Sequence, residues 1–184
     1  MKLIECHIEN FGKLRDYTVK FDDGCNIFCR PNGWGKSTLA VFLRVMFFGF
    51  EGENRRKEME NERKRYQPWQ GGVYGGSLIF ETEGKYYRAT RVFGMKKQED
   101  VFELRDADTN LESRDFTENM GEEIFSINSE SFQRTIFIGQ NDCVTHSTDS
   151  INAKIGNLTD NMEDLDCFEK AAGFVQEELN RLDP

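Results

Sequence analysis

Residues 30–38 read Arg30-Pro31-Asn32-Gly33-Trp34-Gly35-Lys36-Ser37-Thr38. From Gly35 to Ser37 the stretch matches the phosphate-loop pattern G-x-x-x-x-G-K-[ST], with Arg30 in place of the first glycine. Small residues such as Gly33 and Gly35 let successive backbone N–H groups curve around phosphate oxygens. The lysine adds a positive charge between the terminal phosphates, and the serine hydroxyl is a ligand for Mg²⁺. The predicted nucleotide contacts are Asn32, Gly33, Trp34, Gly35, Lys36, Ser37 and Thr38.

The sequence around this loop predicts the strand–loop–helix order that phosphate loops require. Residues 25–29 are short and mainly apolar, which predicts a strand, and residues 36 to about 48 lack glycine and proline. That second segment is apolar almost all round, so we expect a buried helix that ends at Gly49. Arg30 precedes Pro31 and is confined to extended geometry, which the end of the strand provides. Its side chain either crowds the phosphates or adds a contact to them.

The remaining pattern predicts an α/β fold: a mixed sheet around the phosphate-loop helix, an antiparallel β-lobe over about 73–106, and a C-terminal helix. Alternating apolar residues predict strands near residues 3–8 and 17–21, joined through Asn10-Phe11-Gly12. Three more strands are expected at 77–81, 86–92 and 101–105, and a last one at 135–138. Residues 116–125 and 128–134 look helical. We predict a nucleotide-binding lobe over 1–157.

The C-terminal residues 158–184 change period. Apolar residues recur every three or four positions, and from Leu165 onward they follow a heptad seam. Two interpretations stand, the start of a coiled coil or an amphipathic helix docked on its own domain. The seam consists of Leu158, Met162, Leu165, Phe168, Ala172, Val175, Leu179 and Leu182.

Charge is distributed unevenly along the chain. The 184 residues carry a net charge of −9, but residues 1–100 carry +4 and residues 101–184 carry −13. Electrostatic fields act locally, so an acidic total does not exclude a nucleic-acid partner. The 16 phenylalanines argue against disorder. Because the sequence shows no long apolar run and no basic-then-apolar leader, we expect neither a membrane span nor a signal peptide.

The five cysteines are odd in number and form no C-x-x-C pair. Reduced, mostly buried thiols of a cytosolic protein are the favoured interpretation, with a zinc site as the weaker one. His7 and His146 are too isolated in sequence to complete a ligand set, and no nucleophile–histidine arrangement stands out. The chain is therefore not expected to be a hydrolase of the triad type.

Taken together, five motifs resemble the N-terminal half of the ATP-binding head of coiled-coil ABC ATPases of the SMC, RecN, RecF and SbcC types. Within that group the chain is most similar to the bacterial YhaN-like branch. The motifs are the opening strand with Asn10-Phe11-Gly12, the loop Asn32-Gly33-x-Gly35-Lys36-Ser37-Thr38, Tyr66-x-Pro68-Trp69-x-Gly71-Gly72 with Gly75-Gly76, Tyr87-x-x-x-Arg91-x-Phe93-Gly94, and Phe132-x-x-Thr135-x-Phe137-Ile138-x-Gln140.

The resemblance implies ATP and Mg²⁺ as cofactors and assigns two catalytic residues, Lys36 and Gln140. Gln140 corresponds to the glutamine that ligates Mg²⁺ with Ser37 and helps to orient the attacking water, and Thr38 to a hydroxyl that reaches the α-phosphate. No apolar strand ends in Asp-Glu, and no Leu-Ser-Gly-Gly segment is present. In this family those parts follow a long coiled coil, so the chain looks like half of a head that binds ATP but lacks the general base.

The resemblance also implies partners: a C-terminal lobe of the same ATPase, a second head joined through ATP, and DNA, with a nuclease subunit as a further candidate. A basic run offers phosphate contacts, although interspersed glutamates favour a solvated loop as the simpler interpretation. Trp69 and Tyr74 either stack on bases or, as we expect from the neighbouring glycines, pack a turn. The candidate DNA-contacting residues are Arg55, Arg56, Lys57, Arg63, Lys64 and Arg65.

Three functions fit these motifs. The first is the ATP-binding half of a DNA-repair or chromosome-maintenance ATPase, located in the cytoplasm and associated with the nucleoid. The second is a nucleotide-dependent interaction module that does not hydrolyse ATP, and the third is a small P-loop kinase. The predicted β-lobe, the acidic C-terminal half and the missing carboxylate strand count against the kinase.

Overall fold

The computed structural model describes residues 1–51 and 61–139, and the chain divides into two compact units, Met1–Ser126 and Ile127–Pro184. Four α-helices, one short 3₁₀ helix (Lys97–Glu99) and five strands are defined in the described residues. In chain order the strands and α-helices are β1 (Lys2–Phe11), β2 (Leu14–Lys20), α1 (Lys36–Phe48), α2 (Glu62–Arg65), β3 (Gly75–Thr82), β4 (Lys85–Val92), β5 (Val101–Asp106), α3 (Met120–Phe125) and, in the second unit, α4 (Ser129–Thr135).

The five strands form one antiparallel sheet in the order β2-β1-β3-β4-β5. One row of paired residues crosses all five strands and is buried throughout. The neighbouring row is polar and stays in contact with solvent, as expected for a sheet with one covered face. The buried row consists of Val19, Cys6, Leu78, Ala89 and Leu104. Burial also raises the pKa of the Cys6 thiol to about 12. Cys25 and Cys29 are exposed, so the prediction of mostly buried thiols is wrong for these two.

Helix α1 lies on the covered face of this sheet. Its Phe42 packs edge-on against Phe11 of β1 at 5.1 Å between ring centroids, and Phe47 packs against Phe80 of β3 at 5.9 Å. Such aromatic pairs add to the apolar area that the helix removes from water. This matches the prediction of a buried helix over residues 36–48, and Gly49 ends it with a φ of 77°.

Three arginines lie almost fully inside the protein. Arg44 of α1 pairs with Glu62, and Arg63 of α2 makes two bonds of 2.7 Å to the carboxylate of Asp100. Arg91 of β4 has no carboxylate partner among the described residues and donates to backbone carbonyls instead. Buried charges persist only where such partners replace water, so these contacts fix how the loops join the sheet.

Two predicted strands are not formed in the described residues. Residues 25–29 have no regular structure, and Ile27 is 85% exposed. Residues 136–138 follow the end of α4 without strand pairing, and Ile136 and Ile138 are also exposed. A strand exists only when a neighbour accepts its hydrogen bonds. Both segments have the apolar pattern, but residues 1–51 and 61–139 supply no pairing neighbour to either.

The sheet also differs from the predicted one. It is antiparallel rather than mixed over the described residues, and the predicted β-lobe strands β3, β4 and β5 continue the sheet of β1 and β2. The reason is the β1–β3 pairing, from Lys2 opposite Glu81 to Asn10 opposite Gly75, which sequence pattern alone does not reveal. The predicted coiled coil over 158–184 lies outside the described residues. None of the described helices is both long and apolar enough to cross a bilayer.

The Arg63–Asp100 pair provides a stability test. We expect Asp100→Ala to lower the free energy of unfolding by about 3–5 kcal/mol, because it leaves a buried guanidinium without its carboxylate. The change also removes the bond that the carboxylate accepts from the Gly94 N–H at 2.9 Å. Urea unfolding followed by circular dichroism measures the loss.

The matched control is Glu112→Ala. Glu112 faces Arg114 across 3.9 Å with both side chains exposed, and exposed pairs of this kind contribute little. If the two substitutions lower the free energy of unfolding equally, burial of Arg63 does not strengthen the contribution of its pair with Asp100.

Candidate nucleotide-binding site

The phosphate loop is closed around its own lysine. Lys36 Nζ donates to the carbonyl oxygens of Arg30 at 2.6 Å and Pro31 at 3.1 Å. The N–H of Trp34 donates to the same Pro31 carbonyl at 3.3 Å, and the Leu39 N–H donates to Gly35 O at 2.9 Å as the helix begins. The lysine charge is thus held at the centre of the loop, where phosphate oxygens can replace the two carbonyls.

Two glycines give the loop its curvature. Gly33 has a φ of 76° and Gly35 a φ of 121°, both in the region that side-chain-bearing residues avoid. Gly35 is the N-cap of α1, and no side chain caps the helix there. The first N–H groups of α1 are therefore open to an anion, which the helix dipole also favours.

Trp34 and Arg30 support the loop from the side. The indole of Trp34 packs edge-on against Tyr17 of β2 at 5.1 Å, and the guanidinium carbon of Arg30 lies 5.6 Å from the centre of the indole ring. The Arg30 carbonyl accepts the bond from Lys36. In the position of the usual first glycine, Arg30 thus contributes its backbone to the loop and its side chain to the Trp34 stack.

The turn between β1 and β2 reaches the start of α1. Gly12 has a φ of 55°, and its N–H donates to Tyr66 O at 2.6 Å. A Cβ at this position would lie 3.1 Å from the Thr38 methyl carbon and 3.3 Å from the Tyr66 ring. Tyr66 in turn stacks on Phe11 at 5.0 Å. Three separate sequence motifs therefore meet at the loop because residue 12 has no side chain.

Sequence reasoning missed Lys13. Its Cδ lies 3.7 Å from where a Cβ on Gly35 would stand, which places a second exposed lysine beside the loop. The available signal was its position directly after Asn10-Phe11-Gly12. Ser37 is exposed, so its hydroxyl is free to act as a metal ligand. Together, the open amides, Lys36 and Ser37 fit the phosphates of a nucleotide and one ligand position of Mg²⁺.

The other predicted site residues separate into three groups. Gln140, Arg55, Arg56 and Lys57 lie outside the described residues. Lys64 and Arg65 are exposed, as a DNA contact requires. Arg63 is buried, and both terminal nitrogens of its guanidinium bond to Asp100, so it is not available to DNA phosphates.

Trp69 and Tyr74 have opposite environments. The prediction that both pack a turn is confirmed for Tyr74, which is buried and donates its hydroxyl to Arg63 O at 3.1 Å. It is wrong for Trp69, whose side chain is 93% exposed. Within residues 1–51 and 61–139, no group of three His, Cys, Asp or Glu side chains is placed to hold a metal ion.

Comparison with known proteins gives consistent matches. The model of the AAA domain family matches residues 5–183. The chain is 30% identical over 93 residues to the uncharacterized protein YhaN of Bacillus subtilis, a match that covers 50% of the chain and 8% of YhaN.

Two archaeal DNA double-strand break repair Rad50 ATPases are also similar. The one from Thermoplasma volcanium is 27% identical over 137 residues, covering 72% of the chain and 14% of the relative. The one from Archaeoglobus fulgidus is 33% identical over 89 residues, covering 48% and 9%. The matches therefore span 8–14% of the length of these relatives.

The two loop glycines form a matched pair for mutation. Gly35→Ala places a Cβ 3.0 Å from Leu14 Cδ2, whereas a Cβ on Gly33 meets nothing within 4 Å. Both substitutions also strain the backbone, because the φ of 76° at Gly33 and of 121° at Gly35 lie where side-chain-bearing residues are disfavoured, and the strain is larger at 121°. We expect Gly35→Ala to lower the free energy of unfolding by clearly more than Gly33→Ala, as measured by thermal or urea unfolding. Equal losses would mean that Leu14 does not hold the start of α1 in place.

Proposed function

Because the chain belongs to the AAA domain family, we propose that it is the N-terminal ATP-binding part of an SMC- or Rad50-like ATPase head acting in DNA repair or chromosome maintenance. The observation that carries the proposal is the geometry of the loop: a lysine held by two loop carbonyls, at the uncapped start of a buried helix. The similarity to Rad50 ATPases supports the DNA-related role, and a cytoplasmic, nucleoid-associated location is part of the proposal.

The residues of the loop have separate tasks in this proposal. Lys36 exchanges the carbonyls of Arg30 and Pro31 for phosphate oxygens and so loses no hydrogen bonds on binding. The first amides of α1 donate to the same anion, and Ser37 supplies a hydroxyl ligand to Mg²⁺. Bound Mg²⁺ would neutralise phosphate charge and hold the nucleotide in one orientation. Thr38 is positioned for a phosphate contact by its packing against Gly12.

Hydrolysis requires more than these residues. We propose that Gln140 helps to orient water, and that a C-terminal lobe and a second head provide the remaining groups. Support comes from segment 25–29, which has the composition of a strand but no strand partner among the described residues, and in which Ile27 is 85% exposed while Phe28 packs on Phe21. A strand from another part of the head would cover this segment. DNA is the proposed partner of the assembled heads, and a nuclease subunit is a further one.

Nucleotide titration tests the loop. Isothermal calorimetry with ATP and Mg²⁺ is expected to show binding that Lys36→Ala weakens about 10- to 100-fold, the value of a hydrogen bond to a charged group. Lys20→Ala, which removes an exposed lysine of β2, should bind like the parent. The chain alone should turn over ATP far more slowly than the roughly 1 s⁻¹ at the lower end of typical enzymes.

Equal binding by the parent and Lys36→Ala would exclude the proposed phosphate site. Turnover near 1 s⁻¹ by the chain alone, at the lower end for ordinary enzymes, would exclude the need for a second lobe.

Cysteine alkylation tests the second lobe. Cys25 and Cys29 are exposed and Cys6 is buried, so iodoacetamide should modify the first two quickly and leave Cys6 unmodified. When the C-terminal lobe is bound, we expect Cys25 and Cys29 to become protected, because residues 25–29 then form a paired strand. Peptide mass spectrometry measures each site, and Cys6 is the internal reference. Unchanged labelling of Cys25 and Cys29 in a stable complex would contradict strand completion at this segment.

A further inference from the structure

An exposed tryptophan and four exposed cations lie on two neighbouring segments, residues 64–69 and the loop that follows β4. Trp69 is 93% exposed and is accompanied by Met95 at 69% and Val73 at 49%. Large apolar side chains grouped at the surface mark interaction sites more often than isolated ones do. We call this surface the Trp69 patch, and it consists of Trp69, Val73, Met95, Lys64, Arg65, Lys96 and Lys97.

Specific contacts hold the two loops of the patch together. Gln67 Nε2 donates to Met95 Sδ at 3.2 Å, which ties the Trp69 loop to the loop that follows β4. On the other side, Arg63 donates to Gly94 O at 3.0 Å and to Asp100 at 2.7 Å. Helix α2, which carries Lys64 and Arg65, is thereby fixed against the loop that carries Lys96 and Lys97.

The positive charge of the patch is not neutralised locally. Lys64, Arg65, Lys96 and Lys97 are exposed, and none has an ion pair within the described residues. Their acidic neighbours are occupied: Glu62 pairs with Arg44 and Asp100 with Arg63. Glu99 Oε2 accepts from the N–H groups of Met95 and Lys96. Because Glu62 and Asp100 are each neutralised by an arginine, the four cations of the patch face one remaining carboxylate, that of Glu99.

A pocket of about 360 Å³ opens between the same two loops. Its walls include Pro68, Gly72, Val73, Phe93 and Met95, so it offers apolar surface and glycine backbone. This volume is within the range of about 300–1,000 Å³ for small-molecule sites. A nucleotide matches these features, because its flat base can enter the apolar pocket or stack on the indole of Trp69 while its phosphate contacts the cations.

We propose that the Trp69 patch binds single-stranded DNA. Trp69 stacks on one unpaired base, the pocket receives a neighbouring base, and Lys64, Arg65, Lys96 and Lys97 contact the phosphates. Aromatic platforms beside a positively charged path are how single strands are bound without sequence preference. In a duplex the base faces are covered by neighbouring bases, so an indole can stack only on unpaired nucleotides. The choice of DNA rests on the proposed function.

The first experiment measures anisotropy of a fluorescein-labelled dT20 oligonucleotide titrated with the 184-residue chain, beside a dT20·dA20 duplex. We expect tighter binding of the single strand. Trp69→Ala should weaken dT20 binding about tenfold or more, the value of one base–aromatic stack, and Trp69→Tyr should retain most of the affinity. The control is Leu111→Ala, because Leu111 is also a large apolar residue at the surface, at 69% exposure, and lies on another loop.

Tryptophan fluorescence identifies the stacking group directly. Trp34→Phe leaves Trp69 as the one tryptophan of the chain, so quenching of its emission by dT20 reports stacking on that residue. Lys96→Gln combined with Lys97→Gln should reduce the slope of log K against log salt by about 1.4, at about 0.7 per phosphate contact on a single strand. The control pair, Lys20→Gln with Arg114→Gln, should leave the slope unchanged.

Three outcomes would overturn the proposal: an unchanged affinity of Trp69→Ala for dT20, tighter binding of the duplex, or no quenching of Trp69. Each is informative because circular dichroism can confirm that Trp69→Ala, a surface change, remains folded. Lys36→Ala separates this proposal from the ATP-binding one, since it should lose ATP affinity and bind dT20 like the parent. If the parent chain does not bind ATP but shows Trp69-dependent binding of dT20, the ATP-binding proposal fails alone. If it binds ATP but not dT20, the Trp69 proposal fails alone.

Discussion

The buried guanidinium of Arg91 is the contact on which the arrangement of the site depends. Its Nε donates to Met46 O at 2.8 Å and one Nη donates to Glu118 O, so it closes the C-terminal end of α1, where carbonyls lack partners of their own. Burial lowers the pKa of this arginine to about 10, and the side chain still carries its charge at neutral pH. The negative end of the α1 dipole is thus neutralised inside the protein, while the positive end opens at the phosphate loop. An anion attracted by the dipole of α1 therefore binds at the N-terminal end of the helix, beside the phosphate loop.

The parts of the fold that could be predicted are those whose cause is local. Strands β1 to β5 alternate between a covered and a solvated face, and α1 lacks any helix breaker between Lys36 and Phe48. The segments 25–29 and 135–138 have the same local pattern but form no strand in the described residues, because pairing requires a neighbour that the pattern cannot supply. The continuity of β3 with β1 was missed for the related reason that their pairing joins residues more than 60 positions apart.

The candidate site shows the same division. The loop residues follow from chemistry within nine positions, whereas its supports come from elsewhere: Tyr66 beneath Gly12, and Tyr17 against Trp34. Within the basic run, sequence gave no means of separating Arg63 from its neighbours. In the four-residue helix α2, Arg63 points inward to Asp100 and Phe50, while Lys64 and Arg65 face solvent. The sequence shows that the segment is basic, but the side chain that is buried depends on how α2 is rotated about its axis against the sheet.

Two exposed apolar residues, Ile27 and Trp69, differ in the backbone that carries them, and this difference indicates what kind of partner each one fits. Ile27 lies on a segment that has no strand pairing within the described part of the chain, and its side chain is 85% exposed. A strand added there would pair the main chain and cover Ile27 together, as the proposed second lobe requires. Trp69 lies on a turn between Pro68 and Gly71, outside any strand, and the exposed Lys64 and Arg65 precede it on α2. A strand would leave those cations desolvated and unpaired, which is costly. A stacked anion satisfies the indole and the charges at once.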